Sequence, residues 1–254
     1  STIKFVDNMV SDTRNEGVVS DNTFLYLHSS YKYSPDDKTK FSSKLDFDSG
    51  DIGQESSLSS TFLNSGNQFF TFDEGVSNYL TLKNEFDKKY HNNNVLKLNL
   101  DLSFDDRSTN FITNSSENIY SDFVPIEESV SQPVIVSQSS EVQNFITAAR
   151  ANYYIILNRK NHLEFHLNQI FQLSKYTSNS AQDIEDDIRR LPGFENNLNS
   201  RANTFIAGTT YKRIIGDLIA YASLSYRNGY INNEQIDRNI TFSNHNVVPN
   251  LKLD

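Results

Sequence analysis

The chain has 254 residues, a formal net charge of −9, no cysteine and no tryptophan. The lack of cysteine excludes disulfides, thiolate metal sites and a cysteine nucleophile, and the acidic balance without any Lys/Arg run longer than three residues excludes a nucleic-acid partner. A mean hydropathy of −0.56 and the absence of any run of 18 apolar residues exclude transmembrane helices.

Six segments alternate apolar and polar residues. In chain order they read FLYLHSSYKY, FSSKLDFD, YLTLKNEFD, VLKLNLDLSFDD, HLEFHLNQIFQLS and DLIAYASLSYR. In the fourth segment, residues 95–106, leucine or phenylalanine occupies every second position from Leu96 to Phe104, and Lys97, Asn99 and Asp101 stand between them. A period of two over ten residues indicates a β-strand with different surroundings on its two faces.

The connections between these segments alternate between two kinds. Short ones rich in turn formers cover residues 34–39, 88–94, 158–161 and 212–216. Long polar ones cover residues 50–76, 106–143, 175–201 and 228–247. With ANYYIIL and NTFIAGTTY as partners of the last two hairpins, the sequence predicts eight strands in four hairpins, and the closing LKLD lies in a ninth.

This pattern predicts an all-β fold, an antiparallel transmembrane β-barrel with short turns at one rim and long loops at the other. Eleven residues at about 3.3 Å each span roughly 36 Å, and a tilt of about 45° leaves roughly 25 Å of height, which matches the apolar band of such barrels. The leucines would then face lipid, and the residues between them would line a wet lumen. The expected location is the bacterial outer membrane.

A soluble β-sandwich or jelly roll is the alternative, with the same leucines packed on a second sheet. Aromatic residues near the strand ends favour the barrel, because they can form belts at the membrane interfaces. These residues are Tyr31, Tyr33, Tyr79, Phe104, Tyr153, Tyr154, Tyr211 and Tyr226.

Several stretches resemble a known family. The hairpin YYIILNRKNHLEFHLNQIFQLS, the strand YASLSYRNGY and the ending NHNVVPNLKLD resemble the outer-membrane β-barrel region of Bacteroidota proteins related to TonB-dependent receptors. In that family a step of Pro followed by alternating apolar residues leads from a surface loop into a strand, and Val248-Pro249 followed by Leu251 and Leu253 fits it.

The resemblance implies a role in moving a nutrient across the outer membrane, in contact with lipid, lipopolysaccharide, and a surface lipoprotein or other envelope subunits. The family's N-terminal plug and TonB-contacting segment are not visible, and a ninth strand conflicts with the even strand number of bacterial barrels. We therefore expect residues 1–254 to be one barrel region, a segment of a larger barrel. A barrel scaffold without transport and a soluble adhesin or coat domain are the alternative functions.

No catalytic, cofactor-binding or metal-binding residue is assigned, and the chain is not expected to be an enzyme. His162, Glu164 and His166 share one strand face, but the two histidines are then roughly 13 Å apart, too far to bind one ion together. We expect them to line the lumen. No Gly-x-Ser-x-Gly motif occurs, and the sequence alone does not pair any of the five histidines with a serine or an aspartate.

Three connections carry further expectations. Ile184, Ile188 and Leu191 recur at helical spacing behind Ser180 in SAQDIEDDIRRLPGF, which predicts a short helix ended by Pro192-Gly193. The acidic pairs are expected to form a solvated rim, with cation bridges to lipopolysaccharide as the alternative: Asp36-Asp37, Asp105-Asp106 and Glu185-Asp186-Asp187. The apolar loop FVPIEESVSQPVIV, residues 123–136, is expected to pack as an ordinary loop, or over the lumen or a partner lipoprotein.

Overall fold

The protein forms a single antiparallel β-sheet in the computed structural model. The structure describes residues 2–6, 9–62, 65–115, 134–184, 187–191, 193–236 and 238–253. Across these ranges every regular element is a strand. The prediction of an all-β, antiparallel fold is therefore confirmed.

Nine long strands and two short ones make up the sheet. They are β1 Thr2–Val6, β2 Met9–Tyr33, β3 Thr39–Phe62, β4 Ser65–Lys89, β5 Val95–Ser115, β6 Val134–Asn158, β7 Asn161–Ile184, β8 Asp187–Arg190, β9 Asn196–Ile215, β10 Leu218–Gln235 and β11 Arg238–Leu253. The long strands include the eight predicted ones, and β11 is the predicted ninth.

The strand order follows the chain from β1 to β11, except that β7 pairs with both β8 and β9. Each strand is antiparallel to its neighbours. In the part of the chain that the structure describes, β1 and β11 each pair on one side only, so the sheet is open. The long strands from β3 to β10 pair with a neighbour on both sides, whereas among the described residues β2 pairs with β1 only from Met9 to Arg14 and β8 pairs only with β7.

The four predicted short connections are turns in the structure. They occupy residues 34–38, 90–94, 159–160 and 216–217. Asn93 has a φ of 64° and Gly216 a φ of 62°, a left-handed conformation that asparagine and glycine adopt most readily. The last turn lies slightly later than predicted, because β9 continues through Ile215.

The predicted long loops are largely strand. Residues 50–62 and 65–76 pair along their whole length in the β3–β4 hairpin, and residues 228–235 pair with 238–245 in the β10–β11 hairpin. The reason is that a paired backbone satisfies its hydrogen-bonding groups whatever its side chains are. Most of the predicted loop over residues 123–136 lies outside the described residues, and its last residues begin β6.

The helix predicted over residues 180–194 is wrong for the described residues. Ser180 belongs to β7, and Leu191 follows the short strand β8, with its backbone N–H donating to the Ser180 carbonyl at 2.9 Å. Ile188 is 72% exposed whereas Leu191 is buried. The apolar residues therefore do not share a face, and pairing of β7 with β6 and β8 replaces the helical bonds.

The sheet has almost no apolar core. Among the described residues only Val134 and Leu191 are buried apolar side chains. A soluble domain of this size buries many more. The described part of the chain also has no helix long and apolar enough to span a membrane.

Candidate functional site

One face of the sheet, here called the apolar face, carries the large apolar side chains of the predicted strands. On β5 these are Leu96, Leu98, Leu100, Leu102 and Phe104. The face continues across the sheet through cross-strand pairs. These include Leu27–Phe47, Phe47–Leu80, Leu82–Leu102, Phe86–Leu98, Phe104–Phe145, Ala151–Leu167, Leu163–Tyr211, Thr209–Leu224 and Ala222–Leu251.

Many large side chains of the apolar face are exposed. On β5, Leu98 is 39% exposed and Leu100 is 41% exposed, whereas Asn99 and Asp101 on the opposite face are half-buried. The same contrast holds on β7, where Phe165 is exposed and its neighbour Glu164 is half-buried. On β3 the order is the opposite, since Phe47 is half-buried and Asp48 is exposed. A soluble sheet covers its apolar side, whereas much of this one is open.

The apolar face occupies only part of each strand. Its residues on β5, from Leu96 to Phe104, span about 30 Å along the strand at 3.3 Å per residue, whereas the whole of β5 has 21 residues and spans about 70 Å. At a tilt of about 45° the apolar part is roughly 21 Å high, close to the 25 Å of an outer-membrane apolar band. The remaining length extends the sheet on the side away from the short turns.

Aromatic side chains border the apolar face at both ends. Six of the eight predicted belt residues lie on it, namely Tyr31, Tyr33, Phe104, Tyr153, Tyr211 and Tyr226. Tyr79 and Tyr154 do not, because Tyr79 pairs with Asp48 and Tyr154 pairs with Glu164 on the opposite face. The sequence placed them by nearness to a strand end, which does not decide the face.

The turn between β4 and β5 is fixed to this border by hydrogen bonds that the sequence did not predict. The Asn94 side chain is buried, donates through Nδ2 to the Tyr153 hydroxyl at 3.2 Å and accepts the Ile156 backbone N–H at 3.2 Å. The Tyr90 and Tyr153 rings meet edge to face with their centroids 6.2 Å apart. Asparagine is so common near turns that its position in the sequence does not indicate these hydrogen bonds.

A shallow cavity of about 450 Å³ lies on the apolar face. Small side chains of β6, Ala149 and Ala151, form its floor between the larger Leu98 and Leu167 of the flanking strands. Asn84 also lines it and is a polar interruption of the face.

The opposite face, here called the polar face, carries charged and hydrogen-bonding side chains. His28 Nδ1 lies 2.5 Å from Asp46 Oδ1, and the Tyr26 hydroxyl donates to the same oxygen at 3.1 Å. Near the short turns, the Lys212 and Lys252 ammonium groups lie 5.7 and 5.8 Å from the centre of the Tyr221 ring. Charges of both signs therefore line this face.

His162, Glu164 and His166 lie on the polar face of β7, as predicted, but they have different neighbours. His162 pairs across the sheet with Lys212, whereas His166 pairs with Asn152 and Gly208. Among the described residues, no three His, Cys, Asp or Glu side chains come together as a metal site would require.

Two of the predicted acidic pairs make contacts within the protein. The Asp36 carboxylate accepts hydrogen bonds from the backbone N–H groups of Lys38 at 2.9 Å and Thr39 at 2.6 Å. The bond from Lys38 is the main reason that the pKa of Asp36 lies below its usual value. Asp105 forms two hydrogen bonds of 2.8 Å with the Arg107 guanidinium. Glu185 and Asp186 lie outside the described residues.

No protein-family model matches the chain, and no curated protein matches it. Among solved structures, the ferric citrate transporter FecA in its unliganded form is similar over 95% of this chain and 41% of the transporter, with 8% sequence identity and a TM-score of 0.34. The chain thus spans about two fifths of the length of that protein. At this identity and TM-score, the likeness does not establish a shared family or function.

Proposed function

We propose that the chain is a region of a bacterial outer-membrane β-barrel related to the TonB-dependent receptors, and that this barrel takes part in moving a nutrient across the outer membrane. The observation that carries this proposal is the uncovered apolar face. In the described part of the chain all strands belong to one sheet, and no second layer packs on these leucines.

The free energy of burial favours hydrocarbon as the medium on that face. Transferring a leucine or phenylalanine side chain from water to an apolar medium gains about 1.5–3 kcal/mol when it is complete. The face repeats such side chains on neighbouring strands, so its exposure to water would be costly. The strands from β3 to β10, which pair on both sides, also satisfy the requirement of a bilayer core that backbone groups be hydrogen-bonded within the protein.

The polar face supports an aqueous path. Glu85, Asn99 and Arg150 are cross-strand neighbours on it. In a closed barrel this face would line the lumen, where water and polar solutes pass.

The parts of the strands beyond the apolar face support contact with partners outside the hydrocarbon. They carry mainly serine, threonine, asparagine and acidic residues, as in the stretch DSGDIGQESS of β3. Such a surface can meet lipopolysaccharide, a surface lipoprotein or another envelope subunit. The same extension would serve a scaffold barrel that transports nothing.

Tryptophan fluorescence tests the membrane assignment. The chain has no tryptophan, so one placed at Leu100, or at its opposite-face neighbour Asp101, reports without background. In vesicles whose acyl chains carry bromine, we expect strong quenching for Leu100→Trp and weak quenching for Asp101→Trp. Equal quenching of the two, or a protein that stays monodisperse and folded in plain buffer, would rule out the membrane assignment.

Uptake measurements separate transport from the scaffold alternative. Cells lacking the protein are compared with complemented cells for accumulation of a panel of labelled small nutrients, ferric citrate among them. Transport predicts a selective loss that the wild-type protein restores. Unchanged uptake across the panel, together with the loss of an envelope complex on gentle extraction, would favour the scaffold.

A further inference from the structure

Three side chains of the polar face lie in one row across four strands. Asn152 of β6 pairs with His166 of β7, His166 pairs with Gly208 of β9, and Gly208 pairs with Ser225 of β10. The row therefore reads asparagine, histidine, glycine, serine. His166 and Ser225 are 59 residues apart in the chain.

The glycine allows the histidine and the serine to meet. His166 Nε2 lies 3.5 Å from Ser225 Oγ, in a partly buried setting. A Cβ atom added to Gly208 would lie 2.5 Å from His166 Nε2 and 2.8 Å from Ser225 Oγ. Any other residue at this position would occupy the space in which the imidazole approaches the hydroxyl.

We propose that Ser225 is a nucleophile activated by His166, and that the polar face thereby carries an esterase site for carboxylic esters that reach it through water. The arrangement has the parts that nucleophilic catalysis by serine requires, which are a hydroxyl, an imidazole within reach of it and a group that can orient the imidazole. A contact of 3.5 Å is long for a hydrogen bond, but such contacts tighten when substrate binds.

The reaction balances without any added reagent except water. Ser225 Oγ bonds to the carbonyl carbon of the ester while its proton passes to His166 Nε2, and the bond from the acyl carbon to the alcohol oxygen then breaks as that oxygen takes the proton. Water next attacks the acyl carbon, giving a proton to His166. The bond from the acyl carbon to Ser225 Oγ then breaks, the carboxylic acid leaves, and the proton passes from His166 back to Ser225 Oγ.

Asn152 acts through the histidine and is a positioning residue. Asn152 is the cross-strand neighbour of His166 on the same face. Its carboxamide oxygen can accept a hydrogen bond from Nδ1–H of His166, which leaves Nε2 free to accept the proton of the serine hydroxyl. Asn152→Asp should keep this role, and Asn152→Ala should lose it.

A fluorescent fluorophosphonate and p-nitrophenyl butyrate test the site on the full chain folded in detergent micelles. We expect the fluorophosphonate to label Ser225, as mapped by mass spectrometry of the wild-type chain, and we expect Ser225→Ala to lose both labelling and hydrolysis. Ser223→Ala is the matched control, because Ser223 lies two residues earlier on the same face and pairs with Thr210 instead of a glycine.

The histidine is tested by chemical rescue. His166→Ala should lower hydrolysis about 100-fold, and added imidazole should restore part of it, which a merely structural role would not produce. Asn152→Asp should retain more activity than Asn152→Ala. The proposal would be overturned by any of three results: no labelling of the wild-type chain, equal labelling of Ser223, or unchanged hydrolysis in His166→Ala. The mapping of the labelled residue uses the wild-type chain, so it remains informative even if a variant does not fold.

Discussion

The Asn94 side chain donates a hydrogen bond to the Tyr153 hydroxyl at 3.2 Å and so ties the β4–β5 turn to β6. Because Asn94 is buried, Asn94→Ala leaves the hydroxyl and the Ile156 N–H without this partner, and we expect a loss of about 1–3 kcal/mol in the free energy of unfolding. Urea unfolding of the detergent-folded chain measures it. In a double-mutant cycle with Tyr153→Phe, which keeps the ring, additive losses would mean that the two groups do not interact.

The second prediction concerns the apolar face. Leu98→Arg or Leu100→Arg should lower stability in vesicles by about 2–4 kcal/mol if these positions lie near the bilayer midplane. Asn99→Arg should be nearly neutral, since Asn99 is on the polar face between Glu85 and Arg150. Unfolding from vesicles by urea provides the comparison. Equal losses for positions 98 and 99 would show that the two faces were assigned wrongly.

The third prediction is a pH dependence at the β2–β3 turn. The backbone N–H of Lys38, then that of Thr39 and the charge of Lys88, hold the pKa of Asp36 below its usual value of 3.8. A lowered folded-state pKa stabilises the fold above the unfolded value, and this contribution is lost as the pH falls through the folded value. As the pH is lowered below about 4, the unfolding midpoint should therefore fall less steeply for Asp36→Asn than for the wild type. Asp37→Asn is the control. If the unfolding midpoint of Asp37→Asn depended on pH as weakly as that of Asp36→Asn, the assignment of the effect to Asp36 would be contradicted.

Gly208 gives the fourth prediction. Gly208→Ala forces a methyl group against His166 and Ser225, and we expect it to destabilise the fold by about 1–3 kcal/mol. Gly229→Ala on β10 meets nothing within 4 Å, so it should be neutral or stabilise by up to about 1 kcal/mol. Thermal unfolding of both variants under the same conditions measures the difference. Similar midpoints would mean that the histidine moves away at no cost.

The sequence predicted the parts of the fold where side chains differ between the two faces. The alternation over residues 95–106 and the turn formers at 34–39 and 158–161 carry that information locally, and the structure has strands and turns there. The stretch 50–62 is rich in serine and acidic residues and shows no alternation of apolar and polar residues. It is a strand through its pairing with β4, which no local pattern reports.

The candidate sites depended on register, which the sequence did not determine. The shared face of His162 and His166 was predictable from their spacing within one strand. The meeting of His166 with Ser225 was not, because it requires the register of β7 with β9 and of β9 with β10. Similarly, helical spacing of Ile184, Ile188 and Leu191 was a local signal that strand pairing overrode.

The strand order has a consequence for assembly. Successive long strands are neighbours in the sheet, and six of the eight connections between them have five residues or fewer. Closing so short a loop costs little chain entropy, so a growing sheet can accept one hairpin at a time in the order of synthesis. The edge of the partly formed sheet would carry unpaired backbone N–H and C=O groups until the next hairpin pairs with it, and each addition would cover the edge left by the one before.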